Sequence, residues 1–285
     1  MNKETVITSD GFPITAHMFK AKNASGNTVV ISGGVGLPQR FFFKFAKWLS
    51  EQGCRVYTFD YRGIAFSKKG AIAKLEASYK EWAQQDFKAV TEHAKNACPE
   101  NNMLHIGHSF GGNSLGLGDA YLHYDRFLTV ASQFGYFRNF PGKMQLVILV
   151  GFGFLMPVLT MVMGYFPSPW FGLGEALPKQ VARDWGIMLL RKRSMLDLAK
   201  RYGENYYPKI EGPMLMLSID DDTFAPKKSV DVLANEVYRN AKVERMHLVP
   251  KTFGLSKIGH NDFFRQRHQE QLWPIVTNWF NLEKS

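Results

Sequence analysis

Ser109, His260 and the run Asp220-Asp221-Asp222 are the residues whose types and order in this chain could act together on a carbonyl carbon. A serine hydroxyl is a poor nucleophile at neutral pH. It needs a base within hydrogen-bond reach, and the base needs a carboxylate that fixes its tautomer and stabilises it once charged. Nucleophile, acid and base in that chain order are what a strand-turn-helix serine site requires. Three adjacent aspartates cannot all be buried, because like charges raise one another's pKa, so one faces His260 while the others cap a helix or face water. Among the eight histidines, His260 sits in a loop between Gly259 and the polar pair Asn261-Asp262, as a base should. His17, His93, His105, His123, His247 and His268 fall on strands or helices, and His108, beside the nucleophile, is expected to point away from the hydroxyl.

The stretch that must present Ser109 is Asn102 to Leu117. Met103, Leu104 and Ile106 form a short buried strand ending at Gly107, and a helix-compatible segment starts just after Ser109. The serine then stands on a sharp turn, where Gly107 and Gly111 leave room for a strained backbone and the next helix points N–H groups at developing charge. The tetrahedral intermediate also needs two fixed N–H donors. Phe110, the residue after the nucleophile, supplies one. The other is expected from the loop Gly33 to Leu37, with Leu37 first and Val35 second. No Lys-Ser/Thr follows Gly36, which excludes a nucleotide P-loop there.

The elements around these residues alternate. Thr5 to Lys20 reads as two strands around the turn Ser9-Asp10-Gly11; Thr28 to Ser32, Arg55 to Phe59, Phe127 to Ser132, Pro213 to Ile219 and Val243 to Val249 are further strands. Helices are expected over Arg40 to Ser50, Ser78 to Ala97, Ser229 to Asn240 and Gln271 to Leu282. This order implies a mostly parallel α/β sheet with right-handed crossovers and a site at the strands' carboxyl ends. Residues 1–139 and 209–285 form the core by this reading, and 140–208 an inserted helical lid.

That insertion has no charged residue between Lys143 and Glu175, and Leu146 to Phe166 is almost wholly apolar. A transmembrane helix needs roughly 20 such residues, so length permits one. Gly151, Gly153, Pro157 and Gly164 divide the run, however, and no second candidate span accompanies it. The expectation is a lid over an apolar pocket, with peripheral membrane contact through the lid as a further reading.

With these residues assembled, the chain resembles the α/β-hydrolase superfamily along nearly its whole length. More narrowly, it is similar to a bacterial family of uncharacterised predicted α/β hydrolases. That family shares G-x-P-x-R-(F/Y)-(F/Y), here Gly36 to Phe42; D-Y-R-G, Asp60 to Gly63; G-H-S-x-G-G, Gly107 to Gly112; D-D-x-x-A-P, Asp221 to Pro226; and G-H-x-x-F-F-R, Gly259 to Arg265. In related hydrolases the acid sits four residues before the motif proline, which implies Asp222 over Asp221. Two departures stand out: Ala65 replaces the usual second glycine after D-x-R-G, and no histidine precedes the oxyanion glycine. The resemblance implies Ser-Asp-His hydrolysis of a small-molecule ester with a hydrophobic acyl or alcohol part, without cofactor or metal. It leaves open an inactive binding protein of the same fold and a peripheral membrane lipase or thioesterase.

Composition bounds the rest. The chain has 285 residues, 45% of them hydrophobic, and a formal net charge of +10. The charge is dispersed in small clusters such as Arg191 to Arg193 and Lys200-Arg201 with no nucleic-acid motif, so a solvated basic surface is expected and no nucleic-acid partner. Cys54 and Cys98 suggest neither a metal site nor a disulfide framework, and the polar start Met1 to Asp10 has no apolar signal core. Both fit a cytoplasmic setting.

Overall fold

Apolar runs that end in glycine or polar loops become the inner strands of one eight-stranded sheet, whose edge strands, Asn2–Ile7 and Lys242–Leu248, carry charged residues. The computed structural model describes residues 1–282; residues 283–285, the end of the expected second core segment, lie outside the described residues. In chain order the strands are β1 Asn2–Ile7, β2 Pro13–Phe19, β3 Asn27–Ser32, β4 Cys54–Phe59, β5 Asn102–His108, β6 Arg126–Val130, β9 Pro213–Ile219 and β10 Lys242–Leu248. The insertion carries the minor antiparallel pair β7 Tyr165–Phe166 and β8 Leu177–Pro178. The sheet order is β1-β2-β4-β3-β5-β6-β9-β10, with the β1-β2 and β2-β4 pairs antiparallel and every pair from β4 to β10 parallel.

Both faces of the central strands are covered, so apolar residues fill both phases of the two-residue repeat. In β5, Met103 faces one core while Leu104 and Ile106 face the other. From β3 the chain moves to β4 on one side and to β5 on the other. Loops leaving β3 and β5 therefore diverge at the carboxyl edge, and such switch points open the crevice in which sites form.

The helices begin where local chemistry starts them. Ser78 caps the helix over 79–97: its hydroxyl accepts from the Lys80 N–H, and Glu81 reaches back to the Ser78 N–H at 2.8 Å. The segment after Ser109 is shorter than its composition suggests. It is one α-turn, Phe110–Asn113, followed by a 3-10 turn, Ser114–Leu117. A side chain at Gly116 would run into the Tyr207 ring at 1.9 Å, so close packing tightens the turn and ends it.

The apolar run of the insertion departs from expectation. A single helix runs from Gly142 to Met163 through Gly151, Gly153 and Pro157, and only Gly164, at φ +77°, stops it. Proline normally clashes with the carbonyl four residues back. Here that carbonyl belongs to a widened π-type turn, Gly151–Leu155, which makes room.

Candidate active site

β5 delivers Ser109 at its carboxyl end, with φ +52° and ψ −117°. The Ser109 N–H donates to the Val130 carbonyl at 2.9 Å, tying the turn to β6. Space forces the flanking glycines. A Cβ on Gly107 would lie 2.4 Å from the Gly112 nitrogen, and one on Gly111 would lie 2.0 Å from the Ser32 carbonyl oxygen. Real Cβ atoms do not reach such distances, and these obstacles are backbone atoms that no rotamer change removes.

The loops after β9 and β10 bring the other two groups to this turn. His260 Nε2 lies 3.1 Å from Ser109 Oγ, and His260 Nδ1 lies 2.8 Å from Asp222 Oδ2. The second oxygen of Asp222 accepts N–H bonds from Phe224 at 2.8 Å and Ala225 at 3.0 Å. Burial works to raise the Asp222 pKa, but the His260 charge and hydrogen bond, with those two amides, outweigh it and hold the carboxyl below its ordinary value.

The neighbouring aspartates separate cleanly. Asp221 accepts from the N–H groups of Ile258 at 3.0 Å and Gly259 at 2.8 Å, so it shapes the loop that carries His260 without bonding to the imidazole. Asp220 is exposed beside His247, 3.3 Å away.

His108 had no assigned role in the sequence, yet it belongs to the site. Its ring avoids the hydroxyl, as expected, and turns toward the base, with ring centroids 5.1 Å apart. Its Nε2 is 2.9 Å from the His260 carbonyl, and because a carbonyl only accepts, that nitrogen carries the proton. Burial and then the His260 charge push the His108 pKa down to about 3, so the ring is a neutral strut. Phe42 and Phe264 pack edge-on against it, at 6.1 and 5.4 Å. The aromatic positions of two recognised motifs thus hold this strut; only its place beside Ser109 could have signalled it.

Of the two amides expected as the second oxyanion donor, only that of Val35 is without a bond to protein among the described residues. The Leu37 N–H is spent on the Gly34 carbonyl at 3.2 Å, closing a four-residue turn whose third member, Gly36, has φ +68° as a type II turn demands. Val35 and Phe110 line the cavity beside Ser109, and among the described residues neither N–H has a protein acceptor. The sequence could not separate Leu37 from Val35, because the choice depends on which amide the turn itself consumes.

Over Ser109 lies a cavity of about 120 Å³, closed on one side by Leu173, Trp185 and Met188 of the insertion. Asn113 and Gln133 line it, each with a buried side-chain oxygen that has no partner among the described residues. Leu173, Trp185, Gln133 and Phe224 also border a second, apolar cavity of about 320 Å³, lined by Met144, Ile148, Phe152 and Leu155 of the long helix. Glu175 ties the insertion to the core. Its N–H donates to the Gly36 carbonyl at 2.8 Å, and its carboxylate accepts from the Ala65 N–H at 2.9 Å and lies 3.2 Å from Arg40. Among the described residues, no cluster of three or more His, Cys, Asp or Glu side chains is arranged to hold a metal ion.

Comparison with known proteins agrees with this architecture. The profile of the family described as serine aminopeptidase, S33 (Hydrolase_4) matches residues 23–252. Among solved structures, DcsB in complex with its substrate analogue is 14% identical with a TM-score of 0.65, over 98% of each chain. The Pyrococcus furiosus esterase Pf2001 is 14% identical with a TM-score of 0.63, over 100% of this chain and 93% of that one. The esterase EaEST from Exiguobacterium antarcticum is 16% identical with a TM-score of 0.60, over 98% of this chain and 100% of that one. Identities this low speak for the fold alone. No curated protein matches the chain in sequence. A family match across most of the chain, on a mostly parallel sheet flanked by helices, assigns it: the protein belongs to the Hydrolase_4 (serine aminopeptidase, S33) family of α/β hydrolases.

Proposed function

We propose that this hydrolase cleaves carboxylic esters with a hydrophobic acyl or alcohol part through a Ser109-His260-Asp222 triad, beneath a lid formed by the insertion. The observation that carries the reading is the unbroken contact chain from Asp222 through both ring nitrogens of His260 to Ser109 Oγ.

In the first half-reaction Ser109 Oγ attacks the carbonyl carbon while His260 Nε2 takes its proton. Asp222 holds Nδ1 protonated and stabilises the imidazolium. The N–H groups of Phe110 and Val35 receive the oxyanion, each such donor contributing about 3 to 4 kcal/mol in the transition state. Collapse breaks the ester C–O bond, and the proton on His260 goes to the departing alcohol. Water then repeats the sequence on the acyl-enzyme, with His260 as base, and releases the acid.

The apolar lining of the larger cavity favours an aliphatic chain there. Neither cavity is lined by an Asp or Glu that could meet the α-ammonium of a peptide, which favours esters over aminopeptidase substrates.

The test is turnover of p-nitrophenyl esters of increasing acyl length, with Ser109→Ala as the control. Turnover and fluorophosphonate labelling are expected to vanish in the variant. In the wild type kcat/KM should rise a few-fold per added methylene until the cavity fills, at about 0.8 kcal/mol per buried CH2. Unchanged turnover in Ser109→Ala refutes the assignment.

A further inference from the structure

The helix Gly142–Met163 has two apolar faces, and the protein covers only one. Ile148, Phe152, Met156 and Thr160, spaced four apart, form the inner stripe. The Phe152 ring meets Trp185 at 4.8 Å, and Met156 fills the space that Gly186 leaves, where a Cβ would come within 2.8 Å of its methyl group. Offset by two residues, on the opposite side, run Leu146, Val150, Phe154, Val158 and Val162. Phe154 is 68% and Val162 75% exposed, and only 17% of the helix's most apolar window is buried. A helix apolar all round is otherwise enclosed by protein or by lipid, and a patch of this kind on a soluble surface marks an interaction site.

Charge beside the helix selects the occupant. An open groove of about 450 Å³ runs between Phe152, Met156 and Pro157 of this helix and the guanidinium-bearing side chains Arg183, Arg191 and Arg201. All three arginines are exposed, and among the described residues none has an ion-pair partner. A second copy of the chain would bring like charge to like charge, since the net charge is +10. A surface that is apolar inside and anionic at its rim satisfies both features.

We infer that the outer face of Gly142–Met163 lies in the interface of an anionic lipid bilayer, with Arg183, Arg191 and Arg201 holding lipid phosphates along its flank. The helix lies on the bilayer and does not cross it, because its inner stripe stays packed on Trp185 and Gly186. That inner side also lines the apolar cavity that shares Gln133, Leu173, Trp185 and Phe224 with the cavity over Ser109. Docking would bring lipid-derived chains beside that apolar cavity, a consequence that rests on the proposed ester hydrolysis; the docking itself does not.

Full-length Ser109→Ala protein, which cannot turn over lipid, is sedimented with vesicles of phosphatidylcholine alone or mixed with phosphatidylglycerol. Binding to the mixed vesicles at low salt is expected, weakening as salt rises. Phe154→Glu combined with Val162→Glu should abolish it. Arg183→Gln, Arg191→Gln and Arg201→Gln together should lower affinity for mixed vesicles roughly a hundredfold and leave the weak binding to phosphatidylcholine unchanged. Circular dichroism and melting identify any variant that misfolds, and the single substitution Val162→Ser, far milder, then replaces the outer-face pair. No binding at low salt, outer-face variants that bind as well as the parent, a stable dimer in place of vesicle binding, or retention after alkaline carbonate extraction each overturns the inference.

Discussion

Asp221 and Asp222 are chemically identical neighbours with different work. Asp222 spends one oxygen on His260 Nδ1 and the other on two amides, whereas both oxygens of Asp221 shape the backbone ahead of the base. Asp222→Asn is therefore expected to lower kcat on a p-nitrophenyl ester by about 10⁴-fold, because an amide at that place no longer favours the right tautomer. Asp221→Asn should keep kcat within about tenfold and instead lower stability by ~1 to 3 kcal/mol in urea unfolding, the cost of weakening charge-assisted bonds. The oxyanion donor offers an equally narrow test. Val35 is the second residue of a turn whose third, Gly36, has positive φ, and proline is favoured at that second position. Val35→Pro thus removes one N–H with little strain. A loss of about 10² to 10³ in kcat with an unchanged melting temperature is expected; full activity would return the role to another amide.

At the scale of elements, the turn between β5 and Phe110 is held in an unfavourable conformation by what surrounds it. A non-glycine residue at φ +52° costs on the order of 1 to 3 kcal/mol, sustained by the bond from the Ser109 N–H to β6 and by two glycines, Gly107 and Gly111, packed against backbone. Gly111→Ala drives a methyl group into the Ser32 carbonyl, and overpacking against an immovable backbone is expected to cost more than about 3 kcal/mol in denaturant unfolding. The loop after D-Y-R-G solves a similar problem differently. Ala65 adopts φ +38°, and its N–H donates to the Glu175 carboxylate of the insertion. The backbone N–H of Glu175 in turn donates to the Gly36 carbonyl, so one residue of the insertion couples that loop to the turn containing Val35. The strands were legible because short apolar runs bounded by glycine and polar loops have few other fates. The long helix was not, since Gly151, Gly153 and Pro157 are breakers by local rule and only a widened turn within the helix accommodates them.

Across the whole molecule, the sheet carries buried polar groups that set its response to acid. His105 lies in β5, with Nε2 2.7 Å from the Ser32 hydroxyl, and burial pushes its pKa down to about 3. A base with a depressed folded-state pKa contributes stability that is complete above its ordinary value near 6.5 and drains away as pH falls from there toward 3, since only the unfolded chain takes up the proton. Asp60, buried and raised to about 6, acts in the opposite sense, so the wild-type profile alone cannot isolate either group. The difference between wild type and His105→Gln does isolate one proton. The destabilisation caused by His105→Gln at pH 7 should shrink by about 1.4 kcal/mol per pH unit below 6.5, measured by urea unfolding at pH 7 and pH 5. A pH-independent difference would mean that His105 takes up its proton as readily in the folded protein as in the unfolded chain.

The sequence by itself determined the order Ser109, Asp220 to Asp222, His260 and put each in a loop that follows a strand's carboxyl end, because apolar runs and the loops that end them are local properties. Only the tertiary structure decided which of three adjacent aspartates meets His260, that His108 braces the base, that a turn consumes the Leu37 amide and leaves the Val35 amide unpaired, and that one face of the longest apolar helix stays uncovered. Each of these depends on which groups from distant parts of the chain occupy the same few ångströms, and neither residue type nor spacing records that.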